Sequence, residues 1–309
     1  MQVHHFDYGG ADGLSVFAYR WLPDDAEPRA IVQIAHGLAE HAGRYARLAE
    51  ALTAKGYGVY ANDHRGHGRS AEAGADLGHL ADEDGWTRLV ADVDTLYRRI
   101  DAEWRGVPIV LLGHSMGSFV AQQMLYQHDG RLAGAVLCAS NGAPPPIAWI
   151  GLQIARFERW RLGPRGRSAL LQRLAFGDFN RRFGDTRTEF DWLSRDPVEV
   201  DRYVADPNCG FNPTVQTWID LLQALGPLSR PEMQARIPKH LPIWIIAGSE
   251  DPVSENTRGL QQLLAAYAQA GLKRVEHRFY PGARHELFNE TCRDEVVADL
   301  LTWLDAVTV

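Results

Sequence analysis

Six short apolar runs rich in β-branched residues, at residues 30–35, 58–61, 109–112, 134–139, 242–247 and 275–280, recur along a chain of 309 residues. Between most of them lie segments with apolar residues at three- and four-residue spacing, at 45–55, 86–99, 119–126, 256–269 and 293–304, the period of an amphipathic helix. Continuous apolar strands alternating with helices predict an α/β fold, a mostly parallel central sheet with helices on both faces. Residues 14–22 alternate instead, as a half-exposed antiparallel strand does. The rhythm breaks between Asn141 and Lys239, where three consecutive prolines, 144–146, interrupt the chain and no buried-strand run follows for about a hundred residues. The expected organisation is a core built from 1–140 and 240–309 with an inserted helical cap at 141–239. Within the cap, residues 147–160 put Ile150, Ile154 and Phe157 on one helical face with Trp149, Leu152 and Trp160 beside it, which predicts an amphipathic or largely buried helix.

Charge and cysteine usage narrow the function classes. A net charge of −7 argues against a nucleic-acid partner, which calls for a basic balance. Cys138, Cys209 and Cys292 are odd in number, far apart and without a CxxC pair, so a reducing, cytoplasmic setting fits best. Residues 1–10 lack the basic and apolar regions of a signal peptide, and no run of about 18 apolar residues suggests a membrane span.

The segment Gly113-His114-Ser115-Met116-Gly117 joins the run at 109–112 to the helical pattern at 119–126. This composition would produce GxSxG by chance in about one chain in ten, so its place between strand and helix carries the reading. A sharp turn there presents a serine hydroxyl, and a Cβ at either flanking glycine would collide with the neighbouring strand or helix. A serine nucleophile needs a base and an orienting acid, each just beyond a strand of the sheet. The loop Gly248-Ser249-Glu250-Asp251-Pro252-Val253 follows one strand and offers Asp251; a turn-forming Asp251 with Glu250 as the acid is the competing assignment. Pro281-Gly282-Ala283-Arg284-His285 follows another and offers His285 as base, whereas His277 lies within the strand pattern and reads as structural. Backbone donors for an oxyanion are expected at Met116, where a helix begins, and at Leu38, after the turn that Gly37 permits. A plain glycine turn beside buried histidines is the alternative for the second.

These elements, with His36-Gly37-Leu38-Ala39-Glu40-His41, Gly43-Arg44-Tyr45 and Asp63-His64-Arg65-Gly66-His67-Gly68-Arg69-Ser70, resemble the monoglyceride lipase and lysophospholipase group of α/β-hydrolases, within the serine aminopeptidase S33-like hydrolases. The resemblance spans the scaffold at about 17–139 and 242–309; the cap is similar only in general character. It implies hydrolysis of carboxylic esters, most readily monoacylglycerols and other single-chain lipid esters, with no cofactor. It assigns Ser115, Asp251 and His285 to a triad, Leu38 and Met116 to the oxyanion hole, and Glu40, Arg44 and His114 to the alcohol-binding end. Residues 140–147 hold no carboxylate, where some relatives carry an acidic glycerol contact. Lysophospholipase, aminopeptidase and a ligand-binding protein on the same scaffold are the other readings.

His36, His41, His64 and His67 lack HExxH spacing and an accompanying acidic cluster, so no metal is expected. The segment from Asp63 to Ser70 reads as a hydrogen-bonded support for the loop beside Ser115. In the cap, 151–190 holds nine arginines, no lysine and four acids. Those arginines either pair with acids or face an anionic lipid surface, with Trp149, Phe157 and Trp160 as apolar anchors. The expected partners are therefore a lipid ester and, through the cap, the membrane periphery; oligomeric state is not assigned.

Overall fold

A computed structural model describes residues 1–10, 12–24, 26–71, 76–127 and 132–308. The strands are β1 (Gln2–Gly9), β2 (Ser15–Leu22), β3 (Ala30–Ala35), β4 (Tyr57–Asn62), β5 (Ile109–His114), β6 (Leu132–Cys138), β7 (Ile243–Gly248) and β8 (Val275–Tyr280). They form one sheet in the order β1-β2-β4-β3-β5-β6-β7-β8. β1 and β2 pair antiparallel, as do β2 and β4, and every later pair is parallel. The protein is an α/β-hydrolase in architecture, with helices on both faces of a mostly parallel sheet.

Helices α1 (Ala46–Thr53), α2 (Gly85–Glu103) and α3 (Met116–Gln127) precede β6. Between β6 and β7 lie α4 (Ile147–Leu162), α5 (Ala169–Phe176), α6 (Pro197–Ala205), α7 (Val215–Leu228) and α8 (Pro231–Gln234); α9 (Arg258–Gln269) and α10 (Arg293–Val307) follow. Every residue of β3, β4, β5 and β7 is buried, which is why these strands read as unbroken apolar runs. Ala30, Val32 and Ile34 join the core cluster that includes residues of α1 and α10. Ile31 joins the cluster with α2, α3 and α9. Each full burial of such a side chain contributes about 1.5–3 kcal/mol.

The register brings functional loops together. Ala35 pairs with Gly113 and His114 with Cys138, so the loops after β3, β5 and β6 leave the sheet side by side. Those after β7 and β8 emerge at the same carboxyl edge, where open α/β sheets bind ligands.

Several elements differ from expectation. β2, expected to be half-exposed, buries five of its eight residues because it lies between β1 and β4, and β8, expected as an apolar run, is an edge strand with only Tyr280 buried. β1 escapes the sequence pattern because it is an edge strand with only Tyr8 buried, so no alternation marks it. The helix at 147–160 forms, but only part of its expected apolar face is covered. Ala155 and Glu158 are its buried residues, while Ile147, Trp149, Ile150, Phe157 and Trp160 are 69%, 66%, 50%, 57% and 81% exposed. α4 packs on α7 through a narrow stripe in which Gly151 meets Leu222, and small residues bring the helices close. Glu158 is buried because it accepts hydrogen bonds from Arg161 (3.0 and 2.7 Å) and Ser168 (2.6 Å). Leu152 and Ile154 pack against the cap cluster as expected, whereas Trp149, Ile150, Phe157 and Trp160 point away.

Candidate active site

Ser115 occupies the turn between β5 and α3 with φ 51, left-handed backbone that an L-residue adopts only under constraint. The neighbouring glycines supply the constraint. A Cβ on Gly113 would lie 2.3 Å from the Gly117 carbonyl oxygen, and one on Gly117 would lie 2.0 Å from that of Ala35. α3 therefore begins at Met116, three residues earlier than its apolar period suggests, and presses against the end of β3. The Ser115 amide donates to the Cys138 carbonyl at 3.0 Å, tying the turn to β6.

His285 and Asp251 come from the loops after β8 and β7. The His285 Nδ1 lies 2.9 Å from Asp251 Oδ1, which also accepts from the Val253 amide at 2.9 Å. Both side chains are buried, Asp251 completely. Burial alone disfavours the imidazolium, but the Asp251 carboxylate and its hydrogen bond, with Glu286 and Glu40 farther off, outweigh that and raise the His285 pKa above its ordinary value. The aspartate thus favours a proton on Nδ1, leaving Nε2 as the basic nitrogen. Glu250, the competing acid, makes no such contact with His285 among the described residues.

The loop after β3 approaches Ser115 closely. A Cβ on Gly37 would lie 3.2 Å from the Ser115 Cβ and 2.8 Å from Glu40 Oε1. Leu38 and Met116 both line the cavity that Ser115 lines. Behind the loop, His36, His64 and His67 form a buried ring cluster, the His36 and His64 centroids 4.0 Å apart. Burial pushes the pKa of all three down, that of His67 to about 4. Asp63 accepts from the Ala42 and Arg69 amides, each at 2.8 Å, so the 63–70 segment braces this loop by hydrogen bonds.

Glu40, Arg44 and His114 lie together, but two of them are engaged in a buried network. Glu40 accepts from the Gly37 amide (2.6 Å), Tyr45 (2.9 Å) and Arg44 (2.8 Å). Arg44 also grips Glu286 with two nitrogens at 2.6 and 2.7 Å and lies over the Tyr203 ring at 4.9 Å. Burial works against the Glu40 carboxylate, yet Arg44 and the hydrogen bonds leave its pKa below the usual range. His114, lowered to about 4 by burial, is neutral near pH 7. Glu40 lines the cavity with Ser115, whereas Arg44 and His114 line a small separate crevice beside Glu286.

The cavity over Ser115 is about 210 Å³ and is walled by Phe119, Phe176, Phe179, Trp192, Trp218 and Leu225, among others. Glu40 and Glu286 are its acidic residues, and no lysine or arginine lines it among the described residues. A larger, polar cleft of about 500 Å³ lined by Asp12, Arg65, Asp82 and Arg165 excludes Ser115 and His285, so it is no rival for the chemistry.

Sequence reasoning did not find Glu286, Glu290 or Trp192. The Trp192 ring centroid lies 5.0 Å from that of His285. Glu290, fully buried, accepts from the Arg284 amide (2.9 Å), the Arg195 amide (3.0 Å) and Arg195 Nε (2.9 Å), joining the His285 loop to the helical segment. Glu286 follows His285 directly and Glu290 lies five residues after it, but an acid before a helix is too common to signal a buried role. Trp192 gives no sign of its target because 93 residues separate it from His285.

Comparison with known proteins agrees with this architecture. A family model described as serine aminopeptidase, S33, matches residues 26–292. A monoacylglycerol lipase of Mycolicibacterium smegmatis is 30% identical over 305 residues, covering 96% of this chain and 95% of that protein. A monoglyceride lipase of Homo sapiens is 29% identical over 289 residues, covering 91% and 82%. Among solved structures, a thermostable carboxyl esterase from Bacillus coagulans in complex with glycerol superposes with a TM-score of 0.91 at 27% identity over the whole of both chains. With the sheet, the turn at Ser115 and the match at 26–292 in agreement, the chain belongs to the serine aminopeptidase, S33 family of α/β-hydrolases.

Proposed function

We propose that the protein is a serine carboxylic-ester hydrolase acting on single-chain lipid esters, with monoacylglycerols as the best-fitting class. The observation that carries this reading is the Asp251–His285 hydrogen bond of 2.9 Å beside an apolar cavity shared by His285 and Ser115. In this reading Ser115 Oγ attacks the ester carbonyl while His285 Nε2 takes its proton, and Asp251 orients the imidazole and stabilises its charged form. The Met116 and Leu38 amides receive the oxyanion, each worth about 3–4 kcal/mol of transition-state stabilisation. His285 then protonates the leaving alcohol, and water activated by the same nitrogen cleaves the acyl-enzyme.

The apolar walls suit an acyl chain, and the lining charges suit an uncharged alcohol. A lysophospholipid phosphate would meet Glu40 and Glu286 with no lining cation to offset them. An aminopeptidase would need a free carboxylate for the substrate ammonium, but both oxygens of Glu286 are held by Arg44. The relatives named as monoacylglycerol and monoglyceride lipases support the same choice.

In the same proposal residues 141–239 serve as a cap whose α4–α5 face meets the membrane periphery. Trp149, Phe157, Trp160, Leu170 and Leu174 are exposed together there. Arg161, Arg165, Arg181 and Arg187 are paired with carboxylates, while Arg156, Arg159 and Arg173 have no carboxylate partner among the described residues. No described helix is long and apolar enough to cross a membrane.

The deciding experiment is a rate comparison across monoacylglycerols, lysophosphatidylcholines, short acyl esters and aminoacyl amides, run beside fluorophosphonate labelling of the wild type and Ser115→Ala. The reading predicts labelling that vanishes in Ser115→Ala and the highest kcat/KM on monoacylglycerols. Persistent labelling of the variant would overturn the nucleophile, and no labelling of the wild type would favour a binding protein.

A further inference from the structure

The spacing argument against a metal took His36, His41, His64 and His67 together, and the fold separates them. Three form the buried cluster behind the Ser115 turn, whereas His41 faces the segment after α6. Its Nε2 lies 3.0 Å from Asp206 Oδ2. One ligand atom each from His41, Asp206 and Cys209 converge, all within 4.8 Å of one another. The His41 and Asp206 side chains are 16% and 31% exposed, so an ion has a route in, while Cys209 is buried and supplies the inner ligand.

Imidazole, carboxylate and thiolate together make a borderline-soft donor set, the kind that selects Zn²⁺ over Mg²⁺ or Ca²⁺. Three protein ligands leave one tetrahedral position for water. Beyond the three ligands, the neighbouring charges are Arg44 and the two carboxylates it pairs with, Glu40 and Glu286. The second shell is also built. Asp206 Oδ1 accepts from the Asn208 amide at 2.9 Å, which orients the carboxylate. The Gly210 amide (3.0 Å) and the Tyr203 hydroxyl (2.8 Å) both donate to the Ala39 carbonyl, holding the two segments at a fixed distance without an ion.

We propose that His41, Asp206 and Cys209 bind one divalent cation of the Zn²⁺ type, which clips the 36–41 loop to the turn at 206–210. The ion takes no part in ester cleavage. Its effect is mechanical, because the clipped loop also carries Leu38 and Glu40 on the wall of the Ser115 cavity. Binding displaces the Cys209 proton, so each ion bound releases a proton.

The test uses the full chain stripped with a chelator and titrated with Co²⁺, then Zn²⁺. One equivalent of Co²⁺ should give tetrahedral visible absorption and a thiolate-to-cobalt charge-transfer band, both abolished by Zn²⁺ competition, and Zn²⁺ should raise the thermal midpoint. Cys209→Ser should lose the charge-transfer band and bind Zn²⁺ at least about tenfold more weakly, and Asp206→Asn, at a more exposed position, should weaken binding by a similar factor. Cys292→Ser should retain both properties. Metal-free thermal midpoints check that each variant is folded, and Asp206→Asn decides the matter if Cys209→Ser is not. Absence of a saturable single equivalent, or a band and affinity that survive in Cys209→Ser, overturns the site. None of these readouts depends on turnover, so the result stands apart from the substrate assignment.

Discussion

At Ser115 the demands of stability and chemistry diverge. Its φ of 51 costs about 1–2 kcal/mol relative to ordinary backbone for a residue with a Cβ. Ser115→Gly should therefore abolish fluorophosphonate labelling while leaving the protein as stable as wild type or up to about 1 kcal/mol more so, read from denaturant unfolding. His285 gives a pH signature. In its proposed role as base it must be neutral, and its pKa is raised above the ordinary value of about 6.5. The acid limb of kcat/KM should have its midpoint above that value, and Asp251→Asn should move it downward while cutting kcat by about 10⁴. Stability runs the other way: the contribution from protonated His285 is complete below the unfolded pKa and disappears as pH rises through the folded one. A limb unmoved in Asp251→Asn would remove Asp251 from its proposed role. Ser115 and Asp251 were readable in the sequence because each follows a buried strand with a recognisable end, and His285 because the Pro281-Gly282 turn marks the end of β8. Glu290 was not, since its importance lies in donors from residues 195 and 284 that only tertiary structure brings to it.

Whole elements show where local pattern suffices. Buried parallel strands are legible because both faces are apolar, and β3 has the predicted bounds; β8 also has them, although as an edge strand it buries only Tyr280. β1 is not, since an exposed edge strand needs no apolar face, and α4 misleads because its packing stripe is small and its large residues face outward. Hydrophobicity along α4 reports what the helix will touch but not whether that surface belongs to this chain. For the proposed membrane face, the double variant Trp149→Ser with Trp160→Ser should change stability by no more than about 0.5 kcal/mol, because both side chains are exposed. The same variant should lose sedimentation with anionic phospholipid vesicles and retain hydrolysis of a soluble short-chain ester. Equal vesicle binding by wild type and variant would detach this face from the membrane. A parallel loss of soluble-ester turnover would point to a structural role for α4 instead.

Across the molecule, the helical segment between β6 and β7 is held to the sheet scaffold unevenly. Near α4 the links include Arg167, which donates to the Leu77 carbonyl, and Arg165, paired with Asp76 and Asp82; the Arg165 side chain is 57% exposed, and such pairs contribute about 0–1 kcal/mol. Near α6 the most buried ionic link is Glu290, receiving hydrogen bonds from Arg195 on one side and Arg284 on the other. Removing that carboxylate leaves buried donors without partners, a loss of at least about 3 kcal/mol. Glu290→Ala should accordingly lower the thermal midpoint by several degrees and reduce kcat, since it releases the loop that bears His285, whereas Arg165→Ala should leave both nearly unchanged. Hydrogen exchange on the wild type should show the same gradient, with amides of α4 and α5 opening faster than those at 191–206. If Arg165→Ala proved the more damaging substitution, the firm end of the segment would be at α4, and any opening motion would have to pivot there, on the side away from His285.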